Sequence, residues 1–364
     1  MNNFIKKSFH IERLGTPTAK SPVQTLKRNI WPGLIICAII GLACMIEGVY
    51  FPALSANLLA ILLGFAARNL LSIPETLEPG IGVAAKRLLR WGVALLGLQV
   101  SLSTVLGLGW GVIITDICAV SITFVATFFL GRLLGIDEDL VTLIASGFSI
   151  CGAAAVAGIQ GTVKATEEKV AAAVALVVLF GTIMIGVGPL IYHLLGMSLG
   201  NGATLIGGST HEVAQAAAAA GIAGGGVLLT TAILVKLFRV ALLAPVVFLL
   251  GLFRRKEVEI IDKHELYQEG TKVKRPALLP LFVVGFIILM FIATLNIIPK
   301  SIAANIKLLQ QFFLTTAMFA LGLGVHIKSL RKLGFKPLLL GLFSTIIIIL
   351  VVLACISLGL GAHI

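Results

Sequence analysis

Lys236 and Arg239 stand inside Val227–Leu252, a stretch otherwise apolar and long enough to cross a bilayer. Three residues apart on a helix, they share a face. A charge at membrane depth is costly and persists only against a polar cavity or a partner, so it marks a pathway or a site by default. Arg239 lies about 12 residues into the stretch, roughly 18 Å of helix, which is too deep for easy snorkelling. An arginine forks onto sulfate, sulfonate or carboxylate oxygens, and a lysine supplies a compact point charge. The chemistry offered is recognition of a small anion. A structural ion pair with Glu212 or Asp116 is the competing reading.

A second polar cluster lies just upstream, in Gly207-Gly208-Ser209-Thr210-His211-Glu212-Val213-Ala214-Gln215. Ser209 and Thr210 are candidate substrate ligands. His211, Glu212 and Gln215 are candidates for handling a proton or sodium ion, because a buried carboxyl is pulled up by burial and down by a neighbouring cation. A fixed salt bridge with a hydrogen-bonded histidine is the plainer alternative. One His and one Glu do not make a zinc site. A third cluster, Ser146-Gly147-Phe148-Ser149-Ile150-Cys151-Gly152, can present backbone N–H groups to an anion, with Ser146, Ser149 and Gly152 as candidate ligands. Close packing through small residues is its alternative. No ordered acid–base triad accompanies Ser149 and Cys151, so no catalysis and no cofactor is expected. Asp116 is a lone carboxylate in an apolar segment, a structural partner or a further coupling group.

The elements that must hold these groups are membrane segments. The chain has 364 residues, 58% hydrophobic and 12% charged, with a mean hydropathy of +1.07. A soluble domain carries about 25% charged residues. Apolar stretches recur from Ile30 onward, which predicts an all-α polytopic membrane protein with no soluble domain. The net charge of +12 is explained by basic loops and a basic N-terminal tail, with no nucleic-acid partner required. Cys37, Cys44, Cys118, Cys151 and Cys355 all lie in apolar segments and read as small core residues. Residues 1–29 are polar and basic, without an apolar signal region, and read as a retained cytoplasmic tail.

Eleven apolar segments follow, at roughly 30–47, 52–67, 84–106, 110–131, 140–158, 170–195, 204–222, 227–252, 276–297, 309–327 and 336–360. They form one transmembrane unit, 30–364, with a cytoplasmic loop at 254–275. If all cross, 22 Lys and Arg fall on the N-terminal side and 4 on the other, which places the N-terminus in the cytoplasm. The fifth and seventh segments carry glycine- and hydroxyl-rich runs that disfavour continuous helix. They either break mid-membrane or turn back, and the second option changes the distribution to 24 against 2.

Two internal matches suggest inverted repeats. Residues 93–112 align with 318–337, including Leu96-Gly97-Leu98 with Leu321-Gly322-Leu323 and Val100 with Val325. The intervening segment count would give the copies opposite orientations, as in many secondary transporters. Ala153–Ile159 also matches Ala216–Ile222 at six of seven positions, pairing the two broken segments.

Ser149-Ile150-Cys151-Gly152-Ala153-Ala154-Ala155-Val156, the Gly208–Gln215 run, Lys236-Leu237-Phe238-Arg239-Val240 with Leu243-Ala244-Pro245, and Lys336-Pro337-Leu338-Leu339 together resemble the YeiH-like sulfate exporter family. The resemblance spans nearly the whole chain after the tail. It implies a bacterial inner-membrane protein, distantly similar to bile-acid symporters and cation/proton antiporters, with a core of crossing broken helices beside a panel domain. The expected activity is secondary transport of small sulfate- or sulfonate-like anions by alternating access, with no Walker sequence for ATP. A sodium- or proton-coupled carboxylate transporter, or an intramembrane enzyme or sensor, are the alternatives. The expected partners are a small anion, a proton or sodium ion and the bilayer, with a homodimer left open.

Overall fold

The computed structural model describes residues 29–50, 56–101, 103, 106–163, 165–253, 280–295, 297–324, 326–327 and 334–362. The N-terminal tail (1–28 of it) and the 254–275 loop expected from the sequence lie outside the described residues. Everything regular among the described residues is helical. We number the helices α1 (Trp31–Tyr50) and α2 (Ala56–Leu70), then α3, a continuous run of Glu78–Val83, a π-helical turn Ala84–Leu88, and Leu89–Leu96. They continue with α4 (Trp110–Leu133), α5 (Glu138–Ser149), α6 (Ala153–Val163), α7 (Glu167–Leu194), α8 (Leu199–Ser209) and α9 (Val213–Ala223). The last four are α10 (Gly226–Ala241), α11 (Leu281–Thr294), α12 (Lys300–Leu323) and α13 (Lys336–Ser357). Past a turn at Leu242, α10 runs on to Phe253.

Five helices are long and apolar enough to cross a bilayer: Trp110–Leu133, Glu167–Leu194, Gly226–Phe253, Ser301–Leu323 and Lys336–Ser357. Shorter apolar helices accompany them, including Trp31–Glu47, Leu59–Leu70 and Leu281–Thr294. The expected all-helical membrane class therefore holds. The expected fifth and seventh segments are each two short helices. Large apolar side chains such as Phe129, Leu133, Leu190, Phe291 and Leu350 face outward, as lipid requires and water would not.

The helices pack in two groups. In one, α12 lies against α1, α2 and α3, and α11 packs on α3. In the other, α8 lies along α10, α13 along α4, and α7 against α5 and α9. The main contacts between groups run from α3 to α6 and from α7 to α12. Buried apolar side chains continue from one group into the other.

The two broken segments are hairpins. At the start of α7, the Lys169 ammonium meets Asp137 at 2.6 Å and Asp139 at 3.2 Å, both at the start of α5. Helix α6 ends at Val163, just before α7 begins at Glu167. The start of α5 and the end of α6 therefore lie at the same end of α7, and the chain doubles back between them. For the second segment, Ala203 of α8, Ala220 and Ala223 of α9, and Leu228 and Ala232 of α10 form one apolar cluster. Further along, the carbonyls of Gly208 and Thr210 meet Arg239 and Lys236. Helix α8 thus runs alongside α10, and α9 returns to the start of α10. Helix α7, with 28 residues or about 42 Å of length, separates the two hairpin bases.

Local sequence explains where these helices start. Asp137 caps α5 through the N–H groups of Asp139 and Leu140 at 3.1 and 3.3 Å. Thr166 caps α7 and Ser198 caps α8 in the same manner. Close approach explains the glycines of α8. A Cβ at Gly207 would fall 2.4 Å from the carbonyl oxygen of Ala232, so only glycine lets α8 lie so close to α10.

Partial burial disfavours the charged form of Asp137, but the Lys169 ammonium and the two capping N–H groups outweigh it and hold this carboxyl below the usual aspartate range. A depressed pKa contributes stability above the unfolded value, and that contribution fades as pH falls through the folded value. Asp137→Ala should cost about 0.5–2 kcal/mol, seen as a lower Tm of the purified protein at neutral pH. The loss should shrink on acidification. An equal loss at pH 7 and pH 3 would show that the capping charge contributes nothing.

Candidate functional site

The ends of two hairpins create an electrostatic problem. Helices α5 and α8 stop in the interior, so their last carbonyls have no further turn to accept from. The side chains of α10 answer it. Lys236 Nζ donates to the carbonyls of Ile150, at 3.3 Å, and Thr210. Arg239 Nη1 donates to Gly208 at 2.5 Å and Thr210 at 3.2 Å, and its Nη2 to Ser149 at 2.5 Å and Phe148 at 3.4 Å. Both cations are wholly buried. They also sit at the negative ends of two helices, where a positive charge is favoured.

The tips touch each other. Gly152 takes φ +80°, and a Cβ there would come 2.7 Å from Glu212 Cγ and 3.2 Å from the His211 carbonyl oxygen. The break in the first hairpin thus needs glycine for both its backbone and its neighbour. The Glu212 carboxylate lies beside the backbone N–H of Ala153, at the start of α6, and the side chain of Asn57 on α2. It also begins α9, so two helix N-termini converge on it. Asn57 in turn accepts a 3.0 Å bond from Thr315 on α12. Glu212 therefore joins the two helix groups.

The remaining sequence candidates fall as follows. Gln215 is locked in place: its Oε1 accepts from Glu212 N–H at 3.1 Å and its Nε2 donates to the Val178 carbonyl at 3.3 Å. Gly181 on α7 leaves room for it. His211 shares a 3.2 Å bond through Nε2 with Thr345 of α13, lies 4.7 Å from the Phe148 ring, and leaves Nδ1 without a partner. The hydroxyls of Ser146, Ser209 and Thr210 turn back onto carbonyls of their own helices, at 2.5, 2.6 and 2.6 Å. Ser149 does so weakly, at 3.5 Å. These side chains are occupied in this state, and it is the backbone of Ser149 and Thr210 that faces the cations. Asp116 on α4 is fully buried, and neither carboxylate oxygen has a partner.

An ion pair of Lys236 or Arg239 with Glu212 or Asp116 is the alternative left open by the sequence. Among the described residues no such pair forms within 4 Å, and the ion pairs that do form involve none of these four residues. Carbonyls take the place of carboxylates because the hairpin ends leave them unsatisfied nearby. Sequence reasoning missed Asn57 and Thr315. The signal each offered was that of a lone polar residue in an apolar helix, where packing is the ordinary role.

Two helical hairpins meeting over a buried cationic pair, within a bundle of helices of which five are long and apolar enough to cross a bilayer, define a polytopic helical membrane protein. The chain belongs to the family described as Conserved hypothetical protein 698, which matches it over residues 32–341. Its relatives include a UPF0324 membrane protein of Corynebacterium glutamicum, 41% identical over 323 residues, covering 89% of this chain and 91% of that one. A UPF0324 membrane protein of Bartonella henselae is 32% identical over 90% of this chain and 94% of its own. The inner membrane protein YeiH of Escherichia coli K12 is 36% identical over 88% of this chain and 92% of its own. The resemblance to YeiH-like membrane proteins carried by the sequence motifs is thus borne out. No solved structure matches the chain.

Gly152→Ala should destabilise the protein by at least ~1–2 kcal/mol, from the left-handed backbone alone, and loosen the contact between tips. Thermal unfolding of the purified variant measures this. A Tm equal to wild type would mean that the tips are not in contact.

Proposed function

We propose that this protein is a secondary transporter of small anions, of the sulfate or sulfonate kind, moving them without chemical change. The observation that carries this reading is the convergence of two hairpin tips, two buried cations and two helix N-termini at one point between two helix groups. Non-helical backbone at membrane depth is tolerated where it is enclosed by protein or lines a cavity, and discontinuous elements of this kind place dipoles at midplane binding sites. Lys236 and Arg239 supply positive charge, and the N–H groups opening α6 and α9 supply donors. The anion arrives on the side where Glu212 meets Asn57 and competes with that carboxylate for the same donors. The hydroxyls of Ser146, Ser149, Ser209 and Thr210 are then available by rotation, beside Gly152. His211, Glu212, Gln215 and Asp116 form the coupling set.

The same reading gives the motion. The group holding the hairpins shifts against the group of α1, α2, α3, α11 and α12, which exposes the tips to alternate sides. The chain segments containing each hairpin and its following helix, α5–α7 and α8–α10, enter from opposite faces and form an inverted pair. With hairpins in place, 24 Lys and Arg fall on one side and 2 on the other, so the N-terminus and the 254–275 loop are cytoplasmic in a bacterial inner membrane.

Proteoliposomes tested with sulfate, methanesulfonate, acetate and succinate, with and without pH and sodium gradients, should show saturable uptake of an oxyanion. Arg239→Lys keeps the charge and loses the fork, and should lower that uptake at least about tenfold, or ~1.4 kcal/mol, in a protein that still folds. Arg239→Gln should lower it further. Wild-type uptake in folded Arg239→Gln would remove this residue from the site, and failure of both variants to fold would make it purely structural. For orientation, Lys263→Cys should resist a membrane-impermeant thiol reagent in intact cells and react after permeabilisation. Strong labelling of intact cells would reverse the topology.

A further inference from the structure

Asp116 is, among the described residues, the one buried carboxylate with no hydrogen-bond donor. Glu212 has the N–H of Ala153 and the amide of Asn57. Asp116 has neither a donor nor an ion pair within 4 Å, yet it is close to the cationic pair. A Cβ on Gly208 would lie 3.7 Å from its Oδ1, and the carbonyl of that same glycine accepts Arg239 Nη1 at 2.5 Å. The carboxylate and the guanidinium thus flank one residue without touching. Arg239 Nε is also without a partner.

The surroundings of Asp116 can be stated element by element. Helix α10 presents Arg239 and Lys236. Helix α13 presents the Cys355 thiol, with Cys118 on α4 itself beside it. Helix α8 carries no titratable residue, and α5 carries only Glu138 and Asp139, at its distant base. An ionised carboxylate without donors in a dry interior is costly, whereas two nearby cations favour it. The two protonation forms are therefore opposed by forces of comparable kind, the condition for a group that exchanges a proton.

The charge balance shows what the exchange would do. The C-termini of α5 and α8 carry about half a negative charge each, and the N-termini of α6 and α9 about half a positive charge each. Those four ends cancel. Lys236 and Arg239 are then balanced by Glu212 and Asp116 when both acids are ionised. A proton on Asp116 leaves one positive charge uncovered at the tips. We propose that Asp116 is the proton-binding site of this core, and that a proton bound there raises the affinity of the centre for an anion; the second half rests on the anion reading above, and the first does not. The coupling is reciprocal, so bound anion also favours the proton, and the two move together. The sign follows: anion affinity rises as pH falls.

Two measurements on the purified full chain test this. The sequence has only four aspartates, Asp116, Asp137, Asp139 and Asp262, and two of these pair with Lys169 near the surface. Infrared spectra during acidification should show a high-frequency protonated-carboxyl band. Carboxyl-13C aspartate should shift that band in wild type, and D116N should lack it. A band indifferent to the aspartate label overturns the proton site, and needs no variant to fold. Calorimetric binding of inorganic sulfate should tighten at least tenfold from pH 8 to pH 5 in wild type. In D116N it should be flat with pH and close to the low-pH wild-type value. A wild-type slope retained in D116N overturns the coupling. If sulfate, methanesulfonate, acetate and succinate all fail to bind wild type at any pH, the anion reading falls and the coupling with it, while the band alone decides whether Asp116 takes the proton.

Discussion

Five carbonyl groups with nowhere to go govern this structure. Phe148, Ser149, Ile150, Gly208 and Thr210 end two helices inside the protein, and their oxygens meet Lys236 and Arg239. In the bilayer no water stands by to accept the task, and each unsatisfied group costs several kcal/mol. Because both hairpins depend on one face of α10, neither is independent of the other. The small residues at the contact follow from the same demand. Gly152 admits the opposing tip, and Gly207 lets α8 approach the backbone of α10.

Much of this was readable from the residues. The depth of Lys236 and Arg239, and the glycine-rich breaks near residues 150 and 210, follow from composition and spacing. The helix starts at Asp137, Thr166 and Ser198 are ordinary capping sequences. What could not be read is whether a broken segment crosses or turns back, since the same glycines serve both. The contacts of Lys169 with Asp137 and Asp139 decide it for the first hairpin, and those contacts are tertiary. The partners of the cations were likewise hidden, because a sequence displays carboxylates and does not display stranded carbonyls. The hydroxyls of Ser146, Ser209 and Thr210 look like ligands on paper, yet each satisfies its own helix first.

The two acids near the centre show how environment separates chemically equal groups. Glu212 is held by donors at the junction of two helix N-termini and bridges to the other helix group through Asn57. Asp116 sits behind the tips, against Gly208, with cations near and donors absent. One has donors beside it, the other only the field of the cations. A proposal of coupled movement needs this division: a carboxylate at the boundary between groups, and another enclosed within the group that carries the hairpins.

Helices α2 and α12 run side by side with matched spacing. Asn57 meets Thr315, Arg68 meets His326, and Asn69 meets the backbone of Ile327, each pair 258 positions apart. Gly64 and Gly322, at the same interval, bring the backbones close between them. A ladder with rungs at both ends and the middle cannot slide by a helical turn without breaking all of its rungs at once. Residues far apart in the chain thus make a stiff beam. Mechanically, displacement of the hairpin-bearing helices would be measured against a fixed rail, with the Glu212–Asn57 contact as the point where the carriage touches it.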